Sequence, residues 1–385
     1  MKLAKTLMLI ASMLIRADFA LSQNWTQQLS APSARHISIA SSADGNKLVL
    51  AAQLNGLLYS STNSGTTWNT TSAPRTNWAV VASSADGTKL VATCLQYDAA
   101  AGTIYISTNS GLGWTPANVP NRKWGAIALS TDGSKLVAAI YDGGIYTSTN
   151  SGATWIKRTT QNGEWYAAAS SADGSKLVVM SANYLVYTST DSGATWSLNV
   201  TLPYHWQSVA SSADGGQMVA VAWGSGIFIS TNSGATWSLN SSPSPYLSSV
   251  ACSSDGRKIV ALAAGNGVYV STNAGLAWRT NSIPIDNWIS VCSSADGNKL
   301  IAVSNNGLAY TWQSTPSPSL KLTRWGANLT FSWLVPSTSF VLQQSADLTS
   351  WMFVTNTPLL NLTNLHNQVT LTPSNSSGFY RLTTP

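Results

Sequence analysis

Acid–base catalysis, nucleophilic attack and metal binding all need ionisable side chains placed in sets, and this sequence spreads such side chains thinly. All but one of its 14 acidic residues are Asp; the exception is Glu164. Seven of the Asp (44, 86, 132, 173, 214, 255 and 296) each precede a Gly in one recurring phrase, where they read as turn formers. That leaves Asp98, Asp142, Glu164 and Asp286 as the carboxylates placed to reach a ligand. A pair of them roughly 5–9.5 Å apart would suit a glycosidase, which is the alternative to be weighed. His36, His205 and His366 are scattered, and Cys94, Cys252 and Cys292 lack the paired spacing of a metal site. An odd number of Cys leaves at least one thiol unpaired, and small thiols packed in strands are expected. The sequence therefore points to no catalytic residue, no metal and no cofactor.

Aromatic residues are the better candidates for recognition. Eight residues before each turn Asp stand His36, Trp78, Trp124, Trp165, Trp206, Leu247 (beside Tyr246) and Trp288. A second set of positions contributes Tyr97, Asp98, Tyr141, Asp142, Asn183, Tyr184 and Trp223. Rings gathered around a concavity would stack on sugars or grip a peptide. The competing reading is that every Trp fills a packing seam, because a repeat copies its packing residues. Arg35, Arg75 and Arg122 fall at related positions but follow no arginine-triad spacing.

These positions recur because the chain is a repeat. The Asp-Gly phrase returns at intervals of 42, 46, 41, 41, 41 and 41 residues. A second phrase, Ser-Thr-Asn-Ser-Gly-x-Thr-Trp and its variants, places Gly at 65, 111, 152, 193, 234 and 275. Short β-branched strands such as Lys176–Met180 and Leu185–Thr188 lie between the phrases, and no segment shows helical periodicity. Periods of this size with four strands each are the blades of a propeller. The seventh unit stops after its third strand at Leu308–Trp312. The missing strand is supplied by Asn24-Trp25-Thr26-Gln27, which precedes Ser-Ala-Pro as Trp68-Asn69-Thr70-Thr71 does. The expected fold is all-β: a seven-bladed β-propeller over residues 23–313, closed by an N-terminal strand. In such a ring the aromatic positions share one end, where each fourth strand crosses to the next blade. Lys47, Lys89, Lys135, Lys176, Lys258 and Lys299 beside the Asp-Gly turns are expected to be solvated hairpin tips.

The second phrase resembles the Asp-box, or BNR, repeat of sialidases, sortilin-like proteins and photosystem II assembly-factor-like propellers. The resemblance rests on Asn63, Gly65 and Trp68; Asn150, Gly152 and Trp155; Asp191, Gly193 and Trp196; and Asn232, Gly234 and Trp237. Asn109 and Asn273 also replace the family's Asp, which only Asp191 keeps. The resemblance implies a structural box lying away from the ligand face. Sialidases add an arginine triad, a Tyr/Glu pair and an Asp acid that this chain does not reproduce. Xyloglucanases set paired Asp across two propellers, against one here.

Residues 1–22 read as a signal peptide: Lys2 and Lys5 precede the apolar run Leu7–Ile15, and Ala20-Leu21-Ser22 offers a cleavage site. The chain is accordingly expected to be exported (secreted, periplasmic or at the cell surface), with no transmembrane segment in the mature chain. Residues 314–319 form a Pro/Ser linker. Residues 320–385 read as six short strands of a small β-sandwich, with Trp325, Trp333 and Trp351 in its core. The stretches Phe340–Ser345, Leu348–Trp351 and Phe379–Leu382 are similar to fibronectin-III-like modules, which end exported proteins of Verrucomicrobia and Planctomycetes and imply attachment or spacing. Charged residues are only 9% and the net charge of +6 forms no basic run, which excludes a nucleic-acid role. The resulting expectation is a monomeric, non-catalytic binding or scaffold module for a glycan or protein. A structural surface protein without a dedicated ligand is the further alternative.

Overall fold

The computed structural model describes residues 25–53, 56–94, 103–159, 162–199, 204–241, 244–281, 283–313, 320–325, 328–334, 341–346, 350–356, 359–361, 366–372 and 379–383. The expected signal peptide (1–22), the expected linker (314–319), Tyr97 and Asp98 lie outside them. The chain divides into two compact units, Met1–Gln313 and Ser314–Pro385.

Among the described residues the first unit is made of seven antiparallel sheets. In five of the seven sheets the second strand is apolar or small and fully buried, as in Leu48–Ala52, Leu136–Ile140 and Ile259–Ala263; in the other two only an end residue, Trp223 or Lys299, is not buried. Such strands are covered on both faces, so they read as continuous apolar runs rather than alternating ones. The fourth strands are short and exposed, for example Asn69–Thr70 and Ser197–Leu198, which limits the open edge each sheet offers. Thr26–Gln27 pairs with Thr311 and Tyr310 and completes the sheet of Trp288–Ser293, Lys299–Ser304 and Ala309–Gln313. The chain's beginning thus closes the ring, as its sequence implies.

Closure is also written in hydrogen bonds that the sequence does not reveal. The residue before each turn Asp donates its backbone N–H to its counterpart in the next sheet. The circuit runs Ala43 to Ala85, Thr131, Ala172, Ala213, Ser254, Ala295 and back to Ala43, each bond 2.7–2.8 Å long. These bonds gird a central channel of about 330 Å³, lined by small residues such as Ala40, Ala82 and Ala210 together with Cys252 and Cys292.

Both recurring phrases are self-satisfied turns. In the first, Ser171 donates its hydroxyl to Asp173 (2.6 Å), and the Asp accepts the backbone N–H of Ser175 (2.9 Å). This Ser–Asp bond occurs in all seven sheets, at 2.5–2.6 Å. Gly174 adopts φ 66°, and an added Cβ would press on the stem of Lys135 from the preceding sheet at 2.8 Å. The lysines are therefore half-buried clamps between sheets, and the expectation of solvated tips is corrected. Lys89 and Lys135 donate to Ser151 and Ser192 of the following sheet, at 3.0 and 3.1 Å. Their methylene stems find apolar cover while the ammonium reaches a hydroxyl.

Among the described residues the second unit contains two sheets. One is ordered Lys321–Trp325, Asn328–Leu334, His366–Leu371, Leu359–Asn361, and the other Met352–Phe353, Val341–Ser345, Phe379–Thr383. Phe331 and Val369 of the first meet Leu342 of the second in a small buried core. Leu359–Asn361 is a strand that sequence patterning missed, because three residues are too few to display a period. Trp351 is half-buried beneath the guanidinium of Arg381, 4.1 Å from the ring centre. The side chains of Trp325 and Trp333 lie outside the described residues.

Candidate functional site

The end of the ring opposite the Asp-Gly turns carries the loops between second and third strands and the crossings between sheets. Each first strand begins there with a bulge, for example between Trp165 and Ala167 and between Trp206 and Ser208. A bulge lets a strand aim neighbouring side chains in unlike directions. Its consequence is a division of the aromatic residues into two layers.

The inner layer is sealed. Trp78, Trp124, Trp165, Trp206, Trp288, His36 and Leu247 all have 0% exposure. Trp165 packs with Ala139 and Ile145 of one sheet and Val179 of the next, so it fills the seam between them. Its indole N–H donates to the carbonyl of Gly143 at 2.6 Å, while Trp78 donates to Gly56 at 3.0 Å. Each Trp also meets an aromatic ring of the third strand edge-on: Tyr105, Tyr146, Tyr187, Phe228 or Tyr310, at centroid distances of 5.1–5.7 Å. These partners went unnoticed in the sequence, although an aromatic stands four residues before most of the box Asn. The expected ligand-contacting ring of Trp78, Trp124, Trp165, Trp206, Trp288 and His36 is therefore corrected. A side chain without exposed surface cannot stack on a ligand, and the seams claim these indoles because they are the largest apolar surface the repeat offers.

The outer layer is exposed and runs across three consecutive seams. Tyr141 and Tyr166 meet in a T-shape at 5.4 Å, with their hydroxyls 3.4 Å apart. Tyr184 pairs with His205 at 5.2 Å, and Trp223 pairs with Tyr246 at 5.3 Å. In every pair one ring comes from the end of a second strand or the loop after it, and the other from the start of the following sheet's first strand or just before it. Tyr166, Tyr184, Trp223 and Tyr246 keep 39–50% of their surface exposed. Tyr166 and His205, which immediately flank buried Trp, were not singled out as ligands from sequence. Their signal was an aromatic doublet, Trp165-Tyr166 and His205-Trp206.

Asp142 and Glu164 stand opposite each other where the short strand Asp142–Gly143 pairs with Gly163–Ser170. Directly opposed residues have Cβ atoms about 4.5–5.5 Å apart, so two carboxylates share this spot beside the tyrosine pair. The bond between the tyrosine hydroxyls, burial and these two acids raise the Tyr141 pKa above the usual phenol range. Lys123 holds its ammonium 5.8 Å above the Tyr141 ring. Asp286 is tied down by the backbone N–H of Asn287 (2.7 Å) and the side chain of Asn306. Arg35, Arg75 and Arg122 are exposed on the same end, in the crossings of the first three sheets.

The boxes lie at the other end. Asn150 accepts from the Ser148 hydroxyl (3.0 Å) and from the Thr154 N–H (2.8 Å), and donates to the Thr154 hydroxyl (2.8 Å). Gly152 donates its N–H to Ser148 at 2.9 Å. Asn63, Asn232 and Asp191 repeat the arrangement. Trp155, Trp196 and Trp237 donate to Gly152, Gly193 and Gly234 at 3.0 Å. Trp68, at the same place after Gly65, packs half-buried at the neighbouring seam. Asn serves here as well as Asp because one oxygen accepts and the amide adds a donor. Among the described residues all three cysteines are free, and burial pushes the Cys252 and Cys292 thiols up to about 12. Such thiols stay protonated and are poor nucleophiles. No group of three or more His, Cys, Asp or Glu able to hold a metal occurs among the described residues.

The ring of sheets with one aromatic end defines the class of protein: a β-propeller. Solved structures that share that fold include two examples. One, described as YCF48 from Cyanidioschyzon merolae, is 14% identical with a TM-score of 0.60 over 75% of this chain and 99% of its own. The other, described as YCF48 bound to D1 peptide, is 16% identical with a TM-score of 0.59 over 75% of this chain and 97% of its own. At these identities the likeness is one of fold. No family model matches the chain, and no curated protein matches it.

Proposed function

We propose that this chain is an exported, non-catalytic propeller that binds a protein partner through the end carrying Tyr141, Tyr166, Tyr184, His205, Trp223 and Tyr246. The single observation that carries the reading is the exposure of aromatic pairs across three adjacent seams. Aromatic rings are the residues interfaces favour, because they offer large area at small entropic cost. A neighbour of the same fold holds a D1 peptide, which makes peptide capture a use to which this architecture has been put. Poverty in carboxylates supports a non-enzymatic module, and the lysines and apolar run within residues 1–22 support export. The box turns fit a BNR reading as structural elements remote from the ligand. The C-terminal sandwich fits an attachment or spacing module.

Photo-crosslinking tests the assignment. A benzophenone amino acid at Tyr184 or Tyr246 should yield a discrete protein adduct in the native envelope. The same probe at Leu112 or Leu276, exposed in the boxes at the opposite end, should not. Adducts only from the box positions would overturn the placement. Oligosaccharide binding or reducing-sugar release in place of adducts would overturn the protein-binding reading.

A further inference from the structure

We propose that the outer aromatic layer accepts a proline-rich segment in polyproline II conformation, with a basic residue of that segment lying at Asp142 and Glu164. This rests on the protein-binding reading and narrows its ligand. Three modes of peptide recognition compete, and this end of the molecule disfavours two. Adding a strand needs a sheet edge long enough to pair along, yet the short edge strand at this end among the described residues, Asp142–Gly143, is only 2 residues long. Docking an amphipathic helix needs a continuous apolar stripe, whereas Asn183, Gly224 and Ser225 interrupt the rings with polar or side-chain-free surface.

Discrete ridges of exposed Tyr and Trp suit the third mode. A polyproline II helix repeats every three residues and makes no internal hydrogen bonds. Its rings pack between standing aromatic side chains, and its stiffness reduces the entropy lost on binding. The tilted and T-shaped pairs present ring edges beside ring faces, which gives slots rather than a flat platform. Charge fixes direction. The protein carries net +6, but Asp142 and Glu164 put two opposed carboxylates against the tyrosine pair at one end of the layer. Like charges facing each other are unfavourable, and a ligand cation relieves that repulsion. Lys123 above Tyr141 shows that the rings there already attract a cation. Tyr166 leaves a second ring exposed for the ligand's own.

The test is selection of displayed random peptides of about a dozen residues, a length that spans several polyproline turns. The bait is the full mature chain, with Trp223→Ala/Tyr246→Ala as counter-bait after its folding is checked by circular dichroism. Recovery of proline-rich peptides bearing Arg or Lys, with binding weakened roughly tenfold or more on the double variant, is expected. Asp142→Asn/Glu164→Gln should then abolish the preference for an Arg-led over a Glu-led polyproline peptide while retaining affinity for proline. Recovery of a motif without proline that still needs Trp223 and Tyr246 would overturn this inference and leave the protein-binding reading standing. Failure to recover any peptide dependent on those residues would overturn both.

Discussion

The indole of Trp165 has no exposed surface, whereas the phenol of Tyr166, next in sequence, is 43% exposed. Two adjacent aromatics were thus given opposite tasks by the bulge at the start of their strand. Trp165→Ala should lose about 3–5 kcal/mol of stability, since it empties a seam between sheets. Chemical denaturation checks this, and a loss below about 0.5 kcal/mol would mean that the residue is not packed as described. His36 takes the place of Trp at the seam where the ring closes. Its Nε2–H donates to the carbonyl of Pro32 at 2.9 Å. Burial holds its pKa below 6.5, outweighing the carbonyls of Pro32 and Leu308, which favour the charged ring. The unfolded chain therefore takes up this proton first. The stability carried by neutral His36 is complete above about pH 6.5 and is lost as the pH falls below it. His36→Leu, copying Leu247, should flatten the stability profile between pH 6.5 and 5, measured by thermal unfolding at stepped pH. An unchanged profile would remove His36 from the account.

The elements explain why some of the design was legible and some was not. Seven Asp-Gly turns, six boxes and an orphan N-terminal strand announce themselves because turn chemistry demands particular residues at fixed places. Tyr59-Ser60-Ser61 and its repeats are equally regular, yet nothing in the sequence says that the third-strand ring will meet the buried Trp edge-on. The exposure of Tyr184 or Trp223 is harder still to read, since an exposed aromatic and a core aromatic carry the same letter. The lysines were misread for a related reason. A Lys beside a turn is usually solvated, and only the angle between adjacent sheets lays Lys135 against Gly174. The box is the element whose logic tests most simply. Asn150→Ala strips the Thr154 N–H of its acceptor and should cost about 1 kcal/mol. Asn150→Asp should be close to neutral at pH 7, because Asp191 already fills that role with its pKa lowered to about 2, chiefly by the hydroxyl and N–H of Thr195. Urea denaturation of the two variants decides it; equal losses would show that the side-chain oxygen is not what the turn uses.

At the scale of the molecule, closure and recognition occupy opposite ends of the same ring. The turn end is locked by the backbone circuit from Ala43 to Ala295 and by lysines reaching the next sheet. The crossing end has its packing residues sunk beneath a second aromatic layer, so the surface can vary without loosening the seams. That separation makes a sharp demand on mutants. Trp223→Ala/Tyr246→Ala should remove surface and little packing, while Trp206→Ala should remove packing and no surface. The decisive measurement is retention of the crosslinked partner, or of a selected peptide, by the Trp223→Ala/Tyr246→Ala chain alongside its unfolding midpoint. The account predicts binding reduced roughly tenfold or more with the midpoint shifted by no more than a few degrees. Undiminished binding by a folded double variant would contradict it.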